Sequence, residues 1–490
     1  MKIVFDTSSV ESYRQFLKVK ALPAYHMRGR LATFPDEYAK TFGLEAETGT
    51  TDYKPESFLF DYQKAIVAMA IQKRKFAVFA DCGLGKSLIL LSYARHISST
   101  TNKRILIITP PMVVPQLAAE AKRFWGEDFE TDIVRAAGLQ EWLDGDGCRI
   151  GITNYEALKD ETTAGNLGAL ILDESSILKS HYGKYGGIAI RLGRGIEWKL
   201  CLTGTPAPND RIEFANHGVF LDRFPTVNSF LATYFINRGQ TSERWALKPH
   251  ALKPFYRALS DWSIFLANPA TYGWKDNVST IPPIHVHIES VPLTKQQRRW
   301  VNEHLGTLIA TRAGGIQSRS AYGQVAKGHW KGKDFDTYKP SFISEMIERW
   351  PDESTLVWCL YDKEQDGMHK ALGGESLSGK TKMTERVDAV ERFKSGESKV
   401  LISKPRILGF GLNLQVATRQ VFSGLQDSYE SYYQCVKRSN RIGSTKPLNV
   451  HIPVTELEEP MIDTVLAKAT RVESDCAEQE TMFKENSVTL

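Results

Sequence analysis

Short, continuously apolar runs alternate with longer amphipathic stretches in two blocks of this chain. In the first block the runs are FAVFA (76–80), RILIITP (104–110), RIGITNY (149–155), ALILDE (169–174) and WKLCLTGTP (198–206). Unbroken rather than alternating hydrophobicity suits strands of a parallel sheet covered on both faces. The second block has STLVWCLY (354–361), SKVLISK (398–404), RQVFSG (419–424) and PLNVHIPV (447–454). Residues 211–280, rich in Phe, Leu, Ala and Trp, read as mostly helical, and IPPIHVHIESVPL (281–293) reads as an extended connector. The pattern predicts an α/β protein: two tandem lobes with parallel sheets, a helical insertion and a small N-terminal accessory region. The expected divisions are 1–55, 56–280 with the insertion at 211–280, 281–470, and a C-terminal tail at 471–490.

Composition narrows this little. A chain of 490 residues with 42% apolar and 24% charged residues is an ordinary globular protein of two or three domains. The net charge of +5 does not by itself mark a nucleic-acid binder, so any such surface must be a local patch. The six cysteines (Cys82, Cys148, Cys201, Cys359, Cys435, Cys476) are scattered without CxxC spacing, which argues for a reducing compartment and against structural zinc. No secretory signal and no apolar run of bilayer length is visible, so a soluble intracellular protein without a membrane partner is expected. A monomer is the expected state.

Candidate chemistry sits where the apolar runs end. ADCGLGKS (80–87) follows the first run and precedes the helical pattern LILLSYARHI. Strand, glycine-rich loop and helix form the setting of a phosphate-binding loop, in which Gly83 and Gly85 let backbone N–H groups wrap phosphates. Lys86 would reach the β- and γ-phosphates of ATP and Ser87 would bind Mg2+; the plain alternative is a tight strand-to-helix turn. LILDESSILKS places Asp173 and Glu174 at the end of another apolar run. Asp173 is suited to hold Mg2+ and Glu174 to polarise the attacking water, the alternative being a helix cap. Thr203, Gly204 and Thr205 of LTGTPAPND (202–210) follow a third run and could couple phosphate loss to the rest of the molecule, or be an ordinary turn. Gln434, Arg438 and Arg441 recur at helical spacing, which predicts one shared helix face. One of the two arginines would act as an arginine finger.

The ordered set resembles helicase superfamily 2, and its details are similar to the Swi/Snf-type DNA translocases, especially compact bacterial or bacteriophage members. FLFDYQKAIV (58–67) resembles the adenine-recognition motif with Gln63 as base reader. ADCGLGKS resembles motif I, ITPPMVVPQLAAEAKRFW (108–125) motif Ia, GITNYEAL (151–158) motif Ib, DESSILKS motif II and LTGTPAPN motif III. GFGLNLQVAT (409–418) and QCVKRSNRIG (434–443) resemble motifs V and VI. ANPATYGWKDNVSTIPPIHVHIESVPLTKQQ (267–297) and LSGKTKMTERVDAVERFKSGESKVLI (377–402) look like the Swi/Snf branch. One departure is plain: Ser176 stands where the family's Asp-Glu-x-His has histidine, which puts the link to motif III in question. The first glycine of the loop is Ala80, and Phe410 replaces a small residue in motif V.

The resemblance implies two RecA-like lobes hydrolysing ATP with Mg2+ between them, with Gly409 and Gln434 on the nucleotide side and Arg441 favoured as the finger. It implies double-stranded or branched DNA bound through its phosphates, with Pro110, Gln116, Asn154, Tyr155 and Asn413 as contacts. The Lys-rich stretch 323–339 could add charge, or be a solvated loop. Residues 1–55 are similar to a HARP-type module, the other reading being a brace on the first lobe. The output expected is translocation on duplex DNA, remodelling forks or branches or displacing proteins. The alternatives are a strand-separating DNA or RNA helicase, a non-enzymatic scaffold, or the motor of a restriction or defence complex.

Overall fold

The structure is a computed structural model that describes residues 1–486 except 23–24, 35–37, 39–40, 45–51, 180–182, 208–209, 240–244, 277, 310–315, 409–411 and 426–428. The chain divides into unit 1, residues 1–276 and 474–490, and unit 2, residues 277–473.

Unit 1 begins with a small antiparallel sheet of β1 (Lys2–Val4), β2 (His26–Arg28) and β3 (Leu31–Thr33), backed by helix α1 (Val10–Lys20). Its core is Phe5, Val19, Leu22, Ala32, Phe34 and Tyr38. The Tyr38 hydroxyl leaves that core and donates to Asp261 over 2.7 Å. Asp261 also pairs with Lys73 at 3.1 Å and with Arg223 at 3.2 Å. The two cations beside it keep its carboxyl low against the opposing effect of burial.

The main sheet of unit 1 follows α2 (Asp61–Lys73). It uses β4 (Lys75–Ala80), then α3 (Lys86–Ser98), β5 (Arg104–Thr109), α4 (Val113–Trp125), β6 (Asp132–Ile133), α5 (Leu139–Asp144) and β7 (Ile150–Asn154). β8 (Leu167–Asp173), α6 (Lys184–Leu192), β9 (Trp198–Thr203) and α7 (Phe214–Phe220) come next. All the ladders are parallel, in the order β12 (Ser263–Leu266)-β4-β9-β8-β5-β7-β6. Strands β5, β8 and β9 are buried at every residue, as their unbroken apolar runs require.

The stretch expected to be a helical insertion is only partly helical. Helices α8 (Val227–Tyr234) and α9 (Leu252–Trp262) flank a hairpin of β10 (Phe235–Asn237) and β11 (Trp245–Leu247). β12 (Ser263–Leu266) then pairs in parallel with β4 and completes the main sheet. A four-residue apolar run carries no helix or strand signature of its own, and the free edge of β4 decides it.

In unit 2, β13 (Ile284–Ser290) is a sheet strand rather than a connector, paired in parallel with β20 (Leu448–Val454). Helices α10 (Lys295–Ile309) and α11 (Ile316–Ala326) and the hairpin of β14 (His329–Trp330) and β15 (Lys333–Asp334) come next. They are followed by α12 (Lys339–Ile347), β16 (Ser354–Trp358), α13 (Asp362–Leu372), β17 (Glu375–Leu377), α14 (Met383–Ser395) and β18 (Val400–Ser403). The lobe continues with α15 (Pro405–Leu408), β19 (Ala417–Phe422), α16 (Tyr429–Ser439) and β20 (Leu448–Val454). The parallel order is β13-β20-β19-β16-β18-β17. A core of Ile343, Met346, Val357, Cys359, Met368, Ile402 and Val421 joins the sheet to α12 and α13.

Helix α17 runs over Glu459–Asn486, so residues 471–486 are not a tail. In unit 1, its Glu480 accepts from the Ala267 and Asn268 N–H groups at 3.0 and 3.3 Å. Phe483 meets Phe265 with ring centres 5.4 Å apart. Among the described residues no helix is long and apolar enough to cross a membrane.

Candidate active site

At the carboxyl edge of the unit 1 sheet, three loops from three strands converge. β4 ends at Ala80, and the chain turns through Gly83 (φ 91°) and Gly85 (φ 70°) into α3. Glycine is required at 85 twice over. The backbone is left-handed, and an added Cβ would lie 2.2 Å from the Gln63 side-chain nitrogen. Gln63 is buried, its Oε1 accepting from the Phe60 N–H at 2.9 Å and its Nε2 donating to the Leu84 carbonyl at 3.3 Å. The Tyr62 hydroxyl donates to the same carbonyl at 3.1 Å. The segment expected to read adenine therefore also grips the loop expected to hold phosphates.

The Lys86 ammonium donates to the Ala80 carbonyl at 2.9 Å and the Asp81 carbonyl at 3.2 Å, inside its own loop. Two backbone oxygens thus hold a cation at the N-terminus of α3, where the helix dipole and exposed N–H groups favour an anion.

The acidic pair ends β8. Asp173 Oδ2 accepts from Thr109 Oγ1 of β5 at 2.7 Å, and its backbone carbonyl accepts from the Tyr155 hydroxyl at 2.7 Å. Burial and the neighbouring Glu174 carboxylate push the Asp173 carboxyl up to about 6, against the opposing pull of Thr109 and Lys86. Glu174 sits at φ 49°, a left-handed conformation that few non-glycine residues adopt. Its Oε2 lies 3.5 Å from Thr203 Oγ1 of β9, which accepts from the Thr205 N–H at 3.2 Å. Gly204 packs on the phosphate loop, where an added Cβ would stand 3.4 Å from the Ala80 carbonyl oxygen. Lys86, Asp173, Glu174 and the Thr203–Thr205 turn thus belong to one site.

Two buried carboxylates make a site that a divalent cation would relieve. Among the described residues no three His, Cys, Asp or Glu side chains form a protein-only metal cage. Mg2+ bound with a nucleotide needs none, because it takes one or two carboxylates and completes its shell with phosphates and water. Asp173 and the Ser87 hydroxyl are donors of that kind, so the residues present fit the ion.

Helix α7 closes the back of the site. His217, fully buried, places Nε2 3.1 Å from Ser175 Oγ, and Asn216 donates to the Leu178 carbonyl at 2.7 Å. Burial pushes His217 down to about 4, so its ring is neutral. Nothing in the sequence pattern marked Asn216 or His217, and Thr109 lies in the motif Ia stretch without having been singled out; tertiary proximity brings all three to the site.

In unit 2, α16 ends at Ser439, so Gln434 and Arg438 share the helix but Arg441 lies beyond it. The helix stops because its last carbonyls are taken: the Leu414 N–H bonds Arg438 O at 3.0 Å and Ser444 Oγ bonds Ser439 O at 2.8 Å. Gln434 and Arg438 are buried, with Arg438 Nε donating to the Gln434 carbonyl at 2.9 Å, whereas Arg441 is half-buried. Gln415, which carried no signal of its own, donates to the Ile442 carbonyl at 2.7 Å and fixes the turn after Arg441. Gly409 lies outside the described residues.

The candidate DNA contacts separate. Gln116 is half-buried and donates to Glu120, Asn154 caps a turn through the Ala157 N–H, and Asn413 is exposed. Pro110 and Tyr155 are buried, and the Tyr155 hydroxyl donates to the Asp173 carbonyl. The basic stretch 323–339 is also divided. Lys331 and Lys333 are exposed, but Lys327 and Lys339 are buried and each bonds Glu458 at 2.6 Å. Paired this way, those two ammonium groups are not free to meet DNA.

Family models match most of the chain. No curated protein matches the chain. A solved structure from Sulfolobus solfataricus, the SWI2/SNF2 ATPase core in complex with dsDNA, is similar at 19% identity, covering 89% of this chain and 97% of that one with a TM-score of 0.39. The family described as helicase conserved C-terminal domain matches residues 338–443. The family described as SNF2-related domain matches residues 62–333, more than half of the sequence. The chain therefore belongs to the SNF2-related family and is a DNA-dependent ATPase of helicase superfamily 2.

Proposed function

We propose that the chain is a motor that hydrolyses Mg·ATP to move along double-stranded DNA, remodelling forked or branched DNA or displacing bound proteins. The observation that supports it most is the convergence of Lys86, Asp173, Glu174 and Thr203 at one sheet edge. Lys86 and the glycine loop bind the β- and γ-phosphates, Ser87 and Asp173 hold Mg2+, and Glu174 orients the attacking water. The ion supplies neutralisation of charge on the phosphates. Arg441, half-buried at the turn beyond α16, serves as the arginine finger, and Gln63 reads the base. Thr203 lies against Glu174 while Gly204 touches the phosphate loop, an arrangement suited to reporting phosphate loss. DNA is held through phosphates by Gln116, Asn154 and Asn413. Residues 1–55 act as a brace for unit 1, which the Tyr38–Asp261 contact supports.

A displacement assay tests this reading. With ATP, the protein should strip a third strand from a triplex while leaving a plain duplex paired. Unwinding of the duplex itself would favour a strand-separating helicase, and no displacement of either would remove the motor reading.

A further inference from the structure

The acidic loop departs from the pattern it resembles by having Ser176 where histidine is expected, yet a buried imidazole reaches the same loop from elsewhere. His217 Nε2 is 3.1 Å from Ser175 Oγ, one residue past Glu174. The preceding residue, Asn216, donates to the Leu178 carbonyl at 2.7 Å. Consecutive side chains of α7 thus hold both ends of the 3-10 turn over Ser175–Lys179 that leads out of the acidic pair.

The surroundings of His217 tie this grip to the rest of the site. Its ring meets Phe79 edge-on, with centres 5.3 Å apart, and Phe79 is next to last in the strand that delivers the phosphate loop. Ser175 also faces the Cys201 thiol on β9, two residues before Thr203. Imidazole, acidic turn, phosphate-loop strand and coupling strand therefore pack as one buried junction.

Glu174 is where this junction matters. Its left-handed backbone persists only where neighbours over-determine it. Tyr155 holds the Asp173 carbonyl on one side, and the α7 contacts hold Ser175 and Leu178 on the other. We propose that His217 is a positioning residue for ATP hydrolysis: through Ser175, and with Asn216, it clamps the turn that aims Glu174. This rests on reading Glu174 as the group that orients water. His217 itself is walled off from solvent, so it acts through Ser175.

The test compares H217L, H217Q, S175A and the H217L/S175A double variant in the full-length protein. kcat and KM for ATP are measured with saturating duplex DNA, and Mg·ADP affinity is measured separately. Leucine fills the space without hydrogen bonding, so H217L should lower kcat about 10- to 100-fold, as expected for a misplaced catalytic group. KM and Mg·ADP affinity should stay within about twofold, because leucine keeps the apolar packing on Phe79 in the strand that delivers the phosphate loop. H217Q should recover most of kcat, and the double variant should be no slower than H217L alone. If H217L does not fold, S175A carries the test with a smaller loss of kcat at unchanged KM. A folded H217L or S175A with wild-type kcat, or losses that multiply in the double variant, overturns the proposal. E174Q in the same series separates the two claims. Normal turnover in E174Q removes the underlying reading, whereas an inactive E174Q beside a fully active H217L removes only the clamp.

Discussion

Tyr155 donates its hydroxyl proton to the backbone carbonyl of Asp173 across 2.7 Å, joining the turn after β7 to the acidic end of β8. Both residues are buried, so the bond is shielded from competing water. It fixes the peptide just before Glu174, where the chain takes its left-handed turn. Y155F removes one oxygen and leaves a buried carbonyl without that partner. The expected cost is about 1 kcal/mol of stability, with kcat down roughly tenfold and KM for ATP little changed. Thermal unfolding and steady-state kinetics check it; wild-type kcat in Y155F would mean the turn holds without this bond.

The two arginines of unit 2 should separate cleanly. Arg438 is buried and bonded within α16, while Arg441 stands half-buried beyond the helix end. R441A should lower kcat about 10³-fold with an unchanged melting temperature, the behaviour of a group used in the transition state. R438A should instead lower the melting temperature. The reverse pattern would assign the finger to Arg438.

The buried charges of unit 2 predict an acid response. Lys327 and Lys339, with Glu364 nearby, surround Glu458 and hold its carboxyl down at about 2. An acid whose folded value lies below its unfolded value adds stability above the unfolded value, near 4.5, and that stability drains away as pH falls toward 2. E458Q strands two buried cations and should cost about 3–5 kcal/mol at pH 7. Melting curves from pH 7 to 3 should show a lower starting point for E458Q and a shallower fall below pH 5. An equally steep fall would place the acid sensitivity elsewhere.

The N-terminal residues are tied to the rest of unit 1 by Asp261, which receives the Tyr38 hydroxyl, Lys73 and Arg223. Y38F should cost about 1 kcal/mol, whereas D261N leaves the buried Lys73 short of its counter-charge and should cost about 3–5 kcal/mol. Limited proteolysis should release residues 1–55 faster from D261N than from Y38F. Equal rates would show that the apolar packing alone holds the module.

Much of this was legible in the sequence because it is local. Strands β4, β5, β8 and β9 announce themselves as unbroken apolar runs, and the phosphate loop, acidic pair and Thr-Gly-Thr turn each occupy a few consecutive residues at a strand end. What was illegible depends on residues far apart in the chain. β12 and β13 are strands because β4 and β20 offer them edges. The basic stretch 323–339 keeps only part of its charge at the surface, because Glu458, far along the chain, pairs with Lys327 and Lys339. The helical spacing of Arg441 with Arg438 failed because Leu414 and Ser444 take the carbonyls at the helix end. His217, without a motif of its own, acquires a role only when α7 folds against the acidic turn.

The most direct test of the central claim is steady-state ATP hydrolysis by the wild type and E174Q, with and without duplex DNA. Strong stimulation of the wild type by duplex DNA, with E174Q inactive but still binding Mg·ATP, is the predicted result. Turnover that ignores DNA, or that survives in E174Q, would contradict the assignment of this site as the engine of a DNA motor.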